Sequence, residues 1–205
     1  MDAGVPDERL VARSRNGDLA AFNALVERYE RAVYNLCFRL LGRREPAEDA
    51  AQEAFLSAFK GVHAFAGGNI RSWLLRIAAN ECKDELRRRT RKDRADSLDV
   101  MFDSDDRPVE VPDPNEGAEF LVLRQEEAAK VQELLLQLPF EQRQAIVLVD
   151  LYDFRYDEVA TMTGVSVGTV KSRIHRGRQR LRGLIQADAE LFGAARRLES
   201  RGQQT

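Results

Sequence analysis

Apolar residues recur at three- and four-residue intervals along most of this chain, the spacing that lines one face of an α-helix. Phe22, Leu25, Val26, Tyr29, Val33, Leu36, Cys37 and Leu40 form the longest such stripe. It predicts a long helix with Gly42 as its C-terminal stop. Pro46 suits the first turn of the next helix, where its missing N–H costs nothing. That helix carries Ala47, Ala51, Ala54, Phe55, Ala58, Phe59 and Val62. Gly67 and Gly68 then break the chain, and Ile70, Trp73, Leu74, Ile77, Ala78 and Leu86 predict a third helix. Further on, Val131, Leu134, Leu135 and Leu138 mark a helix ended by Pro139, which opens another bearing Ile146, Val147 and Leu151. Two shorter helices come after it. No stretch alternates with period two for long enough to predict a strand. The expected fold class is all-α.

Charge divides the chain. Lys and Arg number 32 against 34 Asp and Glu, a formal net charge of −2. That average alone argues against a nucleic-acid partner, but the signs are segregated. Between Arg71 and Arg94 there are nine bases against four acids. Between Asp93 and Glu119 there are ten acids against two bases, with Pro108, Pro112 and Pro114 among them. Between Val167 and Arg182 there are six bases, no acid, and His175. The acidic block has few large apolar side chains, and its prolines discourage helix, so it reads as a linker. The expected organisation is two small helical domains, 8–92 and 119–187, joined by an acidic linker at 93–118 and ending in a tail at 188–205 that frays.

No run reaches the ~20 apolar residues of a membrane span, and the N-terminus lacks a basic-then-apolar signal pattern. Two cysteines and two histidines cannot make a disulfide framework or a rich metal site. Cys37 and Cys82 are expected to be buried packing residues. No cofactor is expected.

Residues 156–182 carry the pattern of a DNA-binding helix-turn-helix. Val159 and Met162 would face inward, and the small Ala160 would let a second helix cross closely. Gly164 can end the first helix in the left-handed conformation. Val165 would plug the corner, Ser166 would cap the second helix, and Val170, Ile174 and Leu181 would lie on its buried side. The second helix would then enter the major groove. Lys171, Ser172, His175 and Arg176 sit near its start, where Arg can pair bidentately with guanine. Arg173, Arg178, Arg180 and Arg182 are better placed for phosphates.

In the first half, Asp49, Gln52 and Glu53 lie at i, i+3 and i+4 and form one polar face. Paired carboxylates suggest acid/base or metal chemistry, but no histidine or cysteine is near enough to complete such a site. Trp73, beside Leu74 and Ile77, fits a core position better than a stacking one. From the residues alone, a two-domain transcriptional regulator with a helical sensing half and a helical interaction protein both remain open.

Four motifs narrow the choice. Glu48-Asp49-Ala50-Ala51-Gln52-Glu53-Ala54-Phe55 and Arg71-Ser72-Trp73-Leu74-Leu75-Arg76-Ile77-Ala78-Ala79-Asn80 resemble the second conserved region of bacterial sigma factors. Leu138-Pro139-Phe140-Glu141-Gln142-Arg143 and Gly168-Thr169-Val170-Lys171-Ser172-Arg173 resemble the fourth. Their order, and the absence of other regions, resemble an extracytoplasmic-function (group IV) sigma factor. The resemblance implies a cytoplasmic, non-enzymatic subunit of bacterial RNA polymerase that directs transcription initiation of a stress or envelope-response regulon. It implies docking of Asp49, Gln52 and Glu53 on the clamp of the largest polymerase subunit, and of the second domain on the flap of the second-largest. It implies −10 recognition by the loop around Phe65 and Asn69 together with Asn80, Asp84, Arg87 and Arg88. Thr169, Lys171, Ser172, Arg173, His175 and Arg176 would read the −35 element. An anti-sigma factor is the further partner implied. The acidic linker would thread polymerase channels, where it either mimics a nucleic-acid strand or serves as a solvated tether.

Overall fold

The computed structural model describes residues 4–93 and 118–187, with side chains at 4–89 and 127–187. Most of the acidic linker and the whole 188–205 tail lie outside the described residues. The chain divides into two compact units, Met1–Asp106 and Arg107–Thr205. All regular secondary structure among the described residues is helical.

The first unit holds α1 (Asp7–Arg15), α2 (Leu19–Leu41), α3 (Arg44–Gly61), a 3-10 turn (Val62–Ala64) and α4 (Ile70–Asp93). The Asp18 carboxylate caps α2 by accepting from the Ala21 N–H at 3.1 Å. Gly42 ends α2 with φ 76°, its N–H donating to Phe38 O at 2.8 Å. Pro46 lies in the first turn of α3, as its missing donor requires. The buried face of α3 is a stripe of small residues, Ala47, Ala50, Ala51, Ala54 and Ala58. Short side chains let its backbone approach α2 and α4 closely. Phe38, Leu25, Leu36 and Leu75 fill the centre. Cys37 and Cys82 form no disulfide and are fully buried there.

Helix α1 is absent from the elements that periodicity predicts. Its buried residues are only Leu10, Val11 and Ser14, too short a stripe to stand out. Polar contacts fix it instead. The Asp7 carboxylate accepts from Arg28 on one oxygen and from the Tyr29 hydroxyl on the other. Arg28 also donates to Val5 O at 2.9 Å. Burial, reinforced by the hydrogen bond to Asp7, pushes the Tyr29 phenol up to about 12.

The second unit holds α5 (Ala118–Leu136), α6 (Phe140–Ile146), a π-helical turn (Val147–Leu151), α7 (Tyr156–Thr163) and α8 (Val167–Ala187). Arg143 is buried and donates to Leu136 O at 3.2 Å, satisfying a carbonyl at the end of α5. The Leu138–Arg143 motif is thus explained in part by this helix junction. Four expectations need correction. Val131 is 38% exposed, off the buried face of α5. The α-helix from Pro139 ends at Ile146, because the next residues widen into a π-turn. The extra residue per turn rotates the positions after it, so Leu151 turns outward and is 48% exposed. Finally, α8 is long, at 21 residues, and Leu181 is only half-buried on it.

Candidate nucleic-acid interface

The helix-turn-helix forms as its turn chemistry dictates. Gly164 takes φ 68° and its N–H donates to Ala160 O. Val159, Ala160 and Met162 are buried, while Val165 half-fills the corner. Ser166 Oγ accepts from the Thr169 N–H at 3.1 Å, capping α8. Val170, Ile174 and Gly177 face the core. A Cβ at position 177 would lie 2.5 Å from Ile146 Cδ1 and 3.4 Å from Gln142 Cβ, so α8 passes close to α6 there and an alanine would force a shift.

The opposite face of α8 is free for a ligand. Lys171, His175 and Arg176 are exposed, while Thr169, Ser172 and Arg173 are half-exposed. The Arg176 guanidinium is steadied by Ser172, donating to its backbone O at 3.3 Å and to its Oγ at 3.1 Å. The Thr169 hydroxyl lies 2.9 Å from Ser166 Oγ, inside the cap. Arg178 departs from expectation. It forks onto Asp150 of the π-turn at 3.1 and 2.5 Å, and that hydrogen-bonded carboxylate raises its pKa further. The fork must open or be shared before Arg178 can serve a phosphate. A partner 28 residues away leaves no local sequence signal.

In the first unit the expected residues fall into three groups. Asp49, Gln52 and Glu53 are exposed on one face of α3. Leu56 extends that face and is 52% exposed. It was not among the expected site residues, although it lies at i+3 from Glu53 and off the alanine stripe. Phe59 is 39% exposed and meets Phe22 edge-on at 5.0 Å.

The second group surrounds a cavity of about 660 Å³. Phe65, Gly67, Gly68 and Asn69 form one wall, and α1 with Tyr29 closes the other side. Asn69 has a local duty as well, because its side chain accepts from the Ser72 N–H at 3.1 Å and caps the start of α4. Phe65 is 6% exposed and tilted against Trp73 at 5.2 Å. It acts as a wall rather than as a projecting ring. Trp73 itself is half-buried, with its far edge against Gly61.

The third group runs along α4. Asn80, Asp84, Arg87 and Arg88 are exposed at i, i+4, i+7 and i+8, one stripe. Trp73 begins the same stripe, seven residues before Asn80. The charges are partly self-paired. Arg87 meets Asp84 at 3.4 Å, and Arg88 and Arg89 both meet the buried Glu85 at 2.7 Å. The Arg87–Asp84 pair is exposed on both sides and therefore weak, whereas Arg88 and Arg89 are anchored on a buried carboxylate.

The family model for Sigma-70 region 2 matches residues 25–92, and that for Sigma-70 region 4 matches residues 128–181. The chain is 40% identical over 169 residues to the ECF RNA polymerase sigma factor SigE of Mycolicibacterium smegmatis. That match covers 81% of this chain and 63% of the relative's length. It is 39% identical over 181 residues to SigM of Mycobacterium tuberculosis, covering 87% of this chain and 84% of the relative. Among solved structures it resembles the sigma factor RpoE of Bartonella quintana, crystallised with the anti-sigma factor NepR. The TM-score is 0.62 at 26% identity, over 82% of this chain and 98% of that one. The two units therefore carry sigma-70 regions 2 and 4. The chain belongs to the extracytoplasmic-function sigma factors, non-enzymatic promoter-recognition subunits of bacterial RNA polymerase.

Proposed function

We propose that residues 8–92 dock on core polymerase and read the −10 element, that 119–187 read the −35 element, and that 93–118 tether them. Asp49, Gln52 and Glu53, extended by Leu56, would meet the clamp of the largest subunit, where a carboxylate face needs basic partners. Asn80, Asp84, Arg87 and Arg88 would track the opened strand, and the cavity bounded by Phe65 and Asn69 would take a base swung out of the stack. Lys171, Ser172, His175 and Arg176 would read base edges in the major groove, with Thr169 and Arg173 nearer the phosphates. The second unit would also rest on the flap of the second-largest subunit.

The observation that carries this reading is that one chain pairs an exposed, basic recognition-type helix with an open cavity beside a polar, basic helix stripe. The capped recognition helix suits duplex DNA. The cavity between α1 and the 65–69 loop is a recess that a base in duplex cannot enter. One protein that handles both forms is suited to opening a promoter, and two weak sites held on polymerase act together. As in the RpoE–NepR complex, an anti-sigma factor would hold this chain until a stress or envelope signal releases it in the cytoplasm. No described helix is long and apolar enough to cross a membrane.

In vitro transcription with purified core polymerase on genomic fragments, with the start sites then mapped, tests the proposal. The expected result is a set of starts sharing one −35 and one −10 motif. Initiation no higher than with core polymerase alone refutes it.

A further inference from the structure

Helix α1 forms the second jaw of the cavity in front of the 65–69 loop. Glu8, Val11, Ala12 and Arg15 recur at i, i+3, i+4 and i+7, one face of the helix, and all four line the cavity. Val11 is 7% exposed and supplies apolar surface. Ala12 is small and leaves room. Glu8 and Arg15 stand at the two ends of this stripe, ~10 Å apart along the axis. Both are exposed, and neither side chain is committed to a hydrogen bond or ion pair among the described residues. Their neighbour Asp7 is different, because both its oxygens are held by Arg28 and Tyr29 of α2. That clamp fixes α1 in place and leaves Glu8 and Arg15 as its uncommitted charges on the cavity.

The opposite wall complements this jaw. Gly67 and Gly68 have φ values of 101° and 94°, and nothing lies within 4 Å of where their Cβ atoms would be. A ligand can approach that backbone closely. The cavity thus offers apolar surface for the face of a ring, the acceptor-only carboxylate of Glu8 and the donor-only guanidinium of Arg15 on one wall, and Arg71 at the start of α4 as a further guanidinium in its lining.

We propose that α1 selects which base is captured: Glu8 accepts from the exocyclic amine of the base, and Arg15 neutralises a phosphate beside it. The inference rests on the reading of this unit as a binder of single-stranded DNA. Thymine alone among the four bases lacks an exocyclic amine. Where cytosine, of the same size, presents its N4 amine, thymine presents the O4 acceptor, so a Glu8 carboxylate placed at that exocyclic position meets oxygen against oxygen and loses the hydrogen bond. The comparison of these two pyrimidines therefore isolates the polar edge from pocket volume.

The test uses the full chain bound to core polymerase, with promoter templates carrying each of the four bases at every position of the −10 element. Transcripts are counted for the wild type, Glu8→Gln, Glu8→Lys and Arg15→Gln. The wild type is expected to favour cytosine over thymine at one position. Glu8→Gln, whose amide can donate, should lower that ratio by about tenfold at that position alone. Glu8→Lys, a donor only, should invert the preference. Arg15→Gln should lower yield about equally for all four bases and flatten its salt dependence. Glu8 and Arg15 are exposed, so circular-dichroism melts of the variants should match the wild type. A cytosine-to-thymine ratio unchanged in both Glu8 variants, or shifted alike at several positions, overturns the proposal while leaving the single-strand reading intact. A wild-type holoenzyme with no base preference anywhere in the −10 element overturns both.

Discussion

Gly177→Ala adds one methyl where α8 crosses α6, and two opposing terms decide its effect. The new Cβ would lie 2.5 Å from Ile146 Cδ1, 3.3 Å from Ile146 Cγ1 and 3.4 Å from Gln142 Cβ. Carbon atoms rest at about 3.5–4.0 Å, so the first contact overlaps by more than about 1 Å. Ile146 is 4% exposed, so its Cδ1 can turn away about χ2 only into close-packed neighbours. Overpacking of this kind costs about 1–3 kcal/mol. Against it, Gly→Ala inside a helix gains about 0.8–1.0 kcal/mol. Gly183 lies on the same helix with nothing within 4 Å of its Cβ position, so Gly183→Ala should show the gain alone. Both variants share the propensity term. Gly177→Ala should therefore be less stable than Gly183→Ala by about 1–3 kcal/mol, the packing term by itself. Urea unfolding monitored by circular dichroism measures this difference. The single tryptophan, Trp73, lies in the first unit, so its fluorescence transition should stay put. Ile146→Val removes the offending Cδ1 and should relieve much of the Gly177→Ala defect in a double-mutant cycle. Equal stabilisation by both glycine substitutions would refute the claim that Gly177 permits the close approach.

Four further outcomes are expected. Replacing Asp49 and Glu53 together by Ala should weaken holoenzyme formation at least tenfold in a pull-down without moving the melting temperature; undiminished capture would remove the docking role. Arg176→Ala should cost about 1–3 kcal/mol on promoters with a −35 match and little on those without; an equal loss on both classes would contradict base reading. Asp150→Asn should free Arg178 for a phosphate, steepening the slope of log affinity for duplex DNA against log salt by about 0.9; an unchanged slope would mean that Arg178 does not reach DNA. The Tyr29 phenol, raised from 10.0 to about 12 in the folded chain, binds its proton more tightly folded than unfolded. Its contribution to stability is complete below about pH 10 and is lost as pH rises toward 12. Urea midpoints measured from pH 9 to 11.5 should fall for the wild type and fall less for Tyr29→Phe.

Much of the architecture was legible because it is written in local patterns. A helix stripe, a left-handed glycine and a side-chain cap each need only a few adjacent residues. The stripe of α2, the Gly42 stop, the Gly164 turn and the Ser166 cap were all readable for that reason. So were the exposed positions of Asp49, Gln52 and Glu53 and the outward face of α8. Where packing rather than spacing decided, the sequence misled. Residues 146–151 are apolar nearly throughout, so periodicity could not show that the α-helix widens into a π-turn and swings Leu151 into solvent. Trp73 beside Leu74 and Ile77 read as core, yet α4 leaves it half-buried at the head of the Asn80–Asp84 stripe.

By itself, the sequence determined the all-α class, the helix-turn-helix and the segregation of charge that a net value of −2 conceals. These arise from bonding within one helical turn or from simple counting. Tertiary structure alone decided which charged groups stay free. Arg178 is tied to Asp150 across 28 residues, and Asp7 is tied to Arg28 and Tyr29 across 21 and 22. Such pairs depend on how helices cross, which no local pattern encodes. The same crossings turn α1, too short to announce itself, into the wall of the cavity and leave Glu8 and Arg15 uncommitted on it.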